Sequence, residues 1–299
     1  MPERVALIGL GNMGTPMSRR LVEGGYEVHG FDLSSDALDK FAAAGGTPHD
    51  TASAAASGAA VVIFMLPSSA IVDSVLGELR AAGALNATST YVDMSSSEPL
   101  ATRANAAALA AEGIDFIDAP VSGGVGGAVA GTLTVMVGGP VAVVERVRPV
   151  LECFGRVVRI GDVGTGDAMK ALNNLVSAVH LWATGEVVVV AERFGIDPAR
   201  FIEVLNTSSG RSGSSEVKWP KFILPGTYDS AFSAGLMLKD TRIATGLAAQ
   251  LGVPAVLGEE LVARWTAAVA DLGPAADHTE VARWIAEHAN ESAPASPQP

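Results

Sequence analysis

The stretch GDVGTGDAMKALNNLVSA, residues 161–178, joins a glycine-spaced turn to an apolar helical pattern and places Lys170, Asn173 and Asn174 in its first turns. Asn174 follows Lys170 at i+4, so the two project from one helix face, with Asn173 beside them at i+3. The neighbours Met169, Ala171, Leu172, Leu175 and Val176 leave little polar face for a charge. An ammonium buried among them has its pKa lowered by desolvation, which suits proton exchange near neutral pH. Asn174 would then orient the hydroxyl or carbonyl that exchanges the proton. The alternative is a solvated lysine with two asparagines that satisfy the helix start, and spacing alone leaves both open.

A second set of candidates opens the chain. GLGNMG, Gly9 to Gly14, fits G-x-G-x-x-G, follows a strand pattern and precedes a helical one. Gly9 permits a tight turn, Gly11 lets the backbone approach a pyrophosphate, and Gly14 lets helix and strand pack closely. The pyrophosphate would face the N–H groups and positive dipole end of the helix. The second strand pattern ends at Asp32, 18 positions after Gly14. That is close to the ~20-residue spacing at which a carboxylate accepts from ribose hydroxyls. Leu33, Ser34 and Ser35 follow, with no Arg or Lys for a 2′-phosphate, so NAD is favoured over NADP. Asp32 or Ser34 could instead cap the next helix. An adenosylmethionine enzyme or a nucleotide-sensing regulator could also carry such a loop.

A third set lies in DAPVSGGVGGAVAGTLTVMVGG, Asp118 to Gly139, which holds seven glycines after an apolar strand. Ligand crevices of open α/β sheets lie at that strand edge. Ser122, Gly123 and Gly124 would offer a hydroxyl and unshielded N–H groups to a carboxylate, the alternative being a tight structural turn.

Composition narrows the ligand. Hydrophobic residues make up 48% of the 299 and charged residues 17%, below the roughly 25% charged that is usual, so we expect surface buried between subunits in an oligomer. The formal charge of −12 and the lack of a basic run argue against nucleic acid and anionic membranes and for a small-molecule partner. Cys153 is the single cysteine, read as structural. No metal is called for. The N-terminal apolar run is too short for a secretion signal, and His180 and Glu186 break the longest apolar segment, so a cytoplasmic protein is expected.

The elements that must position these residues form two groups. RVALIGLG, YEVHGFD, AAVVIFMLP, STYVDMS, IDFIDAPVS and LTVMVGG read as short buried strands, separated by alanine-rich helical stretches. The fold class is therefore α/β, with a doubly wound, mainly parallel sheet over 1–163. Helical patterns broken by GIDP and GVP predict an all-helical domain over 164–290, which opens on a long apolar helix pattern. The polar, proline-rich 291–299 reads as a disordered tail.

Taken together, GLGNMGTPM, MLP at 65–67, DMSSSEP at 93–99, DAPVSGG at 118–124, KALNN at 170–174 and LKD at 238–240 resemble the β-hydroxyacid dehydrogenase family over nearly the whole chain. The resemblance implies an N-terminal Rossmann domain, a long interdomain helix, a helical C-terminal domain and a homodimer or homotetramer. It implies NAD-dependent, reversible oxidation of a small 3-hydroxy acid to its semialdehyde, with Lys170 as catalytic acid/base. Asn174 and Ser122, Gly123 and Gly124 would hold substrate. Gly9, Gly11, Asn12, Met13, Gly14, Asp32, Leu66, Pro67, Ser96 and Lys239 would hold cofactor, although Lys239 alone reads as a surface charge beside Asp240. In SSGRSGSS, 208–215, Ser212 and Gly213 replace the Cys-Trp that commonly follows Arg in 3-hydroxyisobutyrate dehydrogenases. Arg211 would pair with a second anionic group or tie down the loop. KALNN lacks the histidine of 6-phosphogluconate dehydrogenases, and imine reductases of this fold usually lack the lysine, so Lys170 favours C–O chemistry. A same-fold imine or ketone reductase and a non-catalytic NAD-binding regulator are the alternatives.

Overall fold

The computed structural model describes residues 3–291; the expected tail, apart from Glu291, lies outside them. The chain divides into two compact units between Lys170 and Ala171.

In the first unit, strands and helices alternate as β1 (Arg4–Ile8), α1 (Gly14–Glu23), β2 (Glu27–Phe31), α2 (Ser35–Ala43), β3 (Thr47–Pro48), α3 (Ala52–Ala56), β4 (Val61–Phe64), α4 (Ser69–Ala81), β5 (Thr90–Asp93), α5 (Pro99–Ala110) and β6 (Asp115–Asp118). Then come β7 (Val121–Ser122), α6 (Gly124–Ala130), β8 (Leu133–Gly138), α7 (Val141–Glu152) and β9 (Gly155–Gly161). The strand order is β3-β2-β1-β4-β5-β6-β8-β7, with β9 paired to β8. From β3 to β6 every neighbour is parallel, as expected of a doubly wound sheet. The order reverses between β1 and β4, which puts the ligand crevice outside the carboxyl ends of those strands.

Alternation along the strands explains why the runs are apolar throughout. Val5 and Leu7 face one core with Val61, Ile63 and Ile117, while Ala6 and Ile8 face the other with Val62, Phe64 and Phe116. Helices cover both faces, so each strand buries both sets.

The LTVMVGG strand departs from the parallel pattern: β8 runs antiparallel to β6 and β7. The strands β3 and β9 were not read from the sequence. β3 is two exposed residues, and β9 has no buried position and is interrupted by the exposed Arg156 and Arg159, so neither shows a long apolar run.

α8 (Thr165–Phe194) passes from the first unit into the second. The second continues with α9 (Pro198–Asn206), a π-helical segment Ser214–Ile223, α10 (Ala234–Gln250), α11 (Val256–Leu272), a 3-10 turn His278–Glu280 and α12 (Val281–Glu291). Its core gathers Ala178, Leu181 and Trp182 of α8 with Met237, Leu261 and Trp265. Trp265 is fully buried and its ring lies 6.1 Å from that of Trp182. Trp265→Ala is expected to cost ~3–5 kcal/mol, measured by denaturant unfolding.

By length and composition α8 could cross a membrane, despite His180 and Glu186. Half of that stretch is buried inside the protein, which is how the core helix of a helical unit also looks.

Candidate functional site

The glycine loop after β1 is shaped by contacts that admit no side chain at two of its three glycines. Gly9 has φ +100°, and a Cβ there would lie 2.2 Å from the Met65 carbonyl oxygen. A Cβ on Gly14 would lie 2.0 Å from the Gly9 carbonyl oxygen. Gly14→Ala should therefore push helix from strand, costing ~1–3 kcal/mol in a melt and weakening NAD binding in a titration. Gly11 differs, since a Cβ there would meet nothing within 4 Å. The protein's own packing does not require that glycine, whereas a pyrophosphate drawn against the loop would. Asn12 is exposed and Met13 packs partly on the core. Among the described residues no side chain caps the first turn of α1; the Thr15 and Met17 N–H groups are taken by the Gly11 and Met13 carbonyls at 3.0 and 3.2 Å, so an anion would meet the loop amides before them.

Asp32 follows β2 and reaches back to this loop. Its Oδ2 accepts from the Leu10 N–H at 2.7 Å and its Oδ1 from the Ser34 N–H at 2.8 Å. The helix-capping role belongs to Ser34, whose Oγ accepts from the Ala37 N–H at 3.3 Å. Asp32 is thus fixed beside the glycine turn by backbone donors and remains half-buried. Gly11, the uncapped α1 and this carboxylate together fit a dinucleotide.

Two more loops end on the same side of the sheet. After β4, half-buried Leu66 donates its N–H to the Ser95 Oγ at 2.9 Å, and Pro67 is exposed. After β5, buried Asp93 accepts from the Ser95 N–H at 2.9 Å and the Ser97 hydroxyl at 2.6 Å. These bonds wind the loop around one carboxylate and leave Ser96 half-buried between two buried serines.

Ser122 lies in β7, half-buried and in register with Thr134 of β8. Gly123 and Gly124 are exposed with φ +133° and +63°, conformations that favour glycine.

Lys170 is half-buried in the second turn of α8. The expectation of a lysine enclosed by apolar neighbours is corrected here. Met169, Leu172 and Val176 stand 41%, 45% and 52% exposed, so they do not wrap it. The helix period carries those side chains outward while Ala171 and Asn174 turn inward. Asn174 is buried and donates from Nδ2 to the Asp240 Oδ2 at 2.6 Å. Asn173 donates to the Asn174 Oδ1 at 3.2 Å, which gives that second amide a role the sequence left open. Asp240 is itself buried, with the Lys239 Nζ 3.6 Å from its Oδ1. Lys239 is three-quarters covered, less exposed than a plain surface charge. Arg211 is exposed, with Glu216 3.8 Å away.

Sequence reasoning passed over three buried carboxylates in the first unit: Asp93, Asp118 and Asp167. Asp118 accepts from the N–H groups of Gly164 at 2.7 Å and Asp167 at 2.9 Å. Burial pushes its pKa up to about 6, opposed by those amides and reinforced by the charge of Asp93. Asp167 accepts from the Thr102 hydroxyl at 2.7 Å, and burial raises its pKa well above the usual range, helped by Asp93 and Asp118. A signal was available, because an Asp closing an apolar strand is unusual. Cys153 is half-buried, and burial raises its thiol pKa, as suits a structural residue.

Two family models match end to end. Residues 4–164 match the NAD binding domain of 6-phosphogluconate dehydrogenase, and residues 164–285 match the NAD-binding domain of NADP-dependent 3-hydroxyisobutyrate dehydrogenase. The mitochondrial 3-hydroxyisobutyrate dehydrogenase of Drosophila melanogaster is 38% identical over 86% of this chain and 81% of its own. The 2-(hydroxymethyl)glutarate dehydrogenase of Eubacterium barkeri is 37% identical over 84% of each. A Mycobacterium tuberculosis 3-hydroxyisobutyrate dehydrogenase solved with L-serine superposes with TM-score 0.88 at 33% identity, covering 95% of this chain and 99% of that one. With an NAD-binding Rossmann unit followed by a helical unit, and relatives of this identity along both, the chain is an oxidoreductase that belongs to the β-hydroxyacid dehydrogenase family.

Proposed function

We propose that the protein catalyses the reversible NAD-dependent oxidation of a small 3-hydroxy acid to its semialdehyde, with Lys170 as the acid/base. The observation that carries this is the face of α8, where Lys170 is followed one turn later by Asn174, an amide held from both ends by Asp240 and Asn173. A carboxylate bound at Ser122, Gly123 and Gly124 would set the substrate hydroxyl against Lys170. In oxidation the neutral Lys170 Nζ takes the hydroxyl proton; in reduction the ammonium returns it. Asn174 orients the oxygen that exchanges the proton. Gly9, Gly11, Asn12, Met13 and Gly14 would hold the pyrophosphate, Asp32 the ribose, and Leu66, Pro67, Ser96 and Lys239 the remainder of the cofactor. NAD, when bound, supplies the hydride acceptor.

The substrates named for the relatives narrow the class. 3-Hydroxyisobutyrate and 2-(hydroxymethyl)glutarate, like the L-serine of the solved complex, share one skeleton: a hydroxymethyl group on the carbon that carries the carboxylate. Only the third substituent differs. A site that grips the carboxylate and the hydroxyl accepts this skeleton and leaves the third substituent to its wall.

Exposed apolar side chains along α8, Val190 and Phe194 above all at 67% and 84%, support a homodimer or homotetramer.

The test is a screen of NAD and NADP reduction with 3-hydroxyisobutyrate, 2-(hydroxymethyl)glutarate, serine, glycerate, threonate, 3-hydroxypropionate and 4-hydroxybutyrate. NADH formation with at least one 2-substituted hydroxymethyl acid, faster with NAD than with NADP, is expected. Cofactor binding without turnover of any acid would refute the proposal.

A further inference from the structure

We infer that Asp118 is a positioning residue: it clamps the first turn of α8 and so sets where Lys170 stands. The inference rests on Lys170 being the acid/base of the proposed reaction.

The first N–H groups of a helix have no partner within it. At the start of α8, the N–H of Gly164, just before the helix, and that of Asp167, in its first turn, donate to the two oxygens of the Asp118 carboxylate at 2.7 and 2.9 Å. Lys170 follows Asp167 by three positions, so the clamp acts one turn below it. The carboxylate is fully buried, and glycines make room for it. A Cβ on Gly138 would lie 2.5 Å from its Oδ1, and one on Gly166 would lie 2.8 Å from its Oδ2. The Ser122 loop, by contrast, has its own support in the pairing of Val121 and Ser122 with β8, so loss of the clamp should spare it.

Holding this ion in place is costly. Burial raises the pKa of Asp118, which means that its charged form is disfavoured in the fold. An amide in its place would accept with one oxygen only, so holding both N–H groups takes the carboxylate. The acids that act on it are Asp93 of β5 and Asp167 of α8; on the segment that leads into α8, Arg103 of α5 donates to the Val163 carbonyl at 3.0 Å and Asp162 is paired with Arg159 at 3.2 Å.

Asp118→Asn keeps the shape and one accepting oxygen but turns an NH₂ toward the second amide. We expect kcat to fall roughly tenfold to hundredfold, the range for a small misplacement of a catalytic group. KM for the hydroxy acid, affinity for NAD and the melting temperature should hold, while the amides of 164–170 exchange hydrogen faster. Unchanged kcat, unchanged exchange, or a joint fall of kcat, NAD affinity and melting temperature would overturn the inference. Should the variant not fold, exchange in the wild-type enzyme decides. The Gly164 and Asp167 amides should lose protection, relative to intrinsic rates, as pH drops through about 6, and constant protection would overturn the clamp. A wild-type enzyme that oxidises no hydroxy acid defeats the proposed function instead, and the exchange results then judge the clamp by themselves.

Discussion

Lys170→Ala is expected to lower turnover by roughly 10²–10⁴-fold, the usual contribution of a positioned general acid/base. NAD affinity should stay near the wild-type value, because the glycine loop and Asp32 form a network of their own: Gly9 against Met65, Gly14 against Gly9, and Asp32 on the Leu10 and Ser34 amides. The loss should appear in kcat and kcat/KM alike, the pattern of an interaction that acts in the transition state. The helix should survive the change, since alanine is its best former and Lys170 contributes nothing to the two apolar cores of the sheet. A turnover close to wild type would remove Lys170 from the chemistry. Asn174→Ala should cost less turnover and more stability, because it leaves the buried Asp240 carboxylate without its 2.6 Å donor.

Asp32→Ala carries the second large effect, on the cofactor. A carboxylate that accepts from sugar hydroxyls makes charge-assisted bonds worth ~1.5–3 kcal/mol, so the dissociation constant for NAD should rise by about ten- to a hundredfold. The same change removes a negative charge from the place where NADP would carry its extra phosphate. Selectivity should therefore fall by more than affinity, through weaker NAD binding and stronger NADP binding together. The Leu10 N–H also loses its acceptor, which adds some looseness at the turn. Isothermal titration with both cofactors separates these contributions. A wild-type enzyme that prefers NADPH would contradict the role given to Asp32.

Much of this was legible in the sequence, for identifiable reasons. The strands of the sheet are continuous apolar runs because helices cover both faces, and the G-x-G-x-x-G turn between a strand and a helix, with Asp32 closing the next strand, points to a dinucleotide. Lys170 and Asn174 could be paired from spacing, since a helix brings i and i+4 together whatever surrounds them. What spacing could not deliver was the environment. Apolar neighbours suggested a lysine walled in by hydrocarbon, yet Met169, Leu172 and Val176 point outward. The partners of the polar groups were equally hidden. Asn174 meets Asp240 66 positions away, and Asp118 meets Gly164 46 positions away. No local pattern encodes such pairs, because they depend on how distant segments are brought together. The antiparallel course of β8 was missed for a related reason, as a strand's direction is set by its connection and not by its composition.

The central claim is that a hydroxy acid loses a hydride to NAD and a proton to Lys170, with no bond to carbon broken other than C–H. The most direct measurement follows both products of one reaction containing only the enzyme, NAD and the best acid from the screen, with NADH read by absorbance and semialdehyde by trapping with a hydrazine. Equal amounts of NADH and semialdehyde, with both formed roughly 10²–10⁴-fold more slowly by Lys170→Ala, is the predicted result. NADH formed without semialdehyde, or accompanied by carbon dioxide and the aldehyde with one carbon fewer, would contradict it.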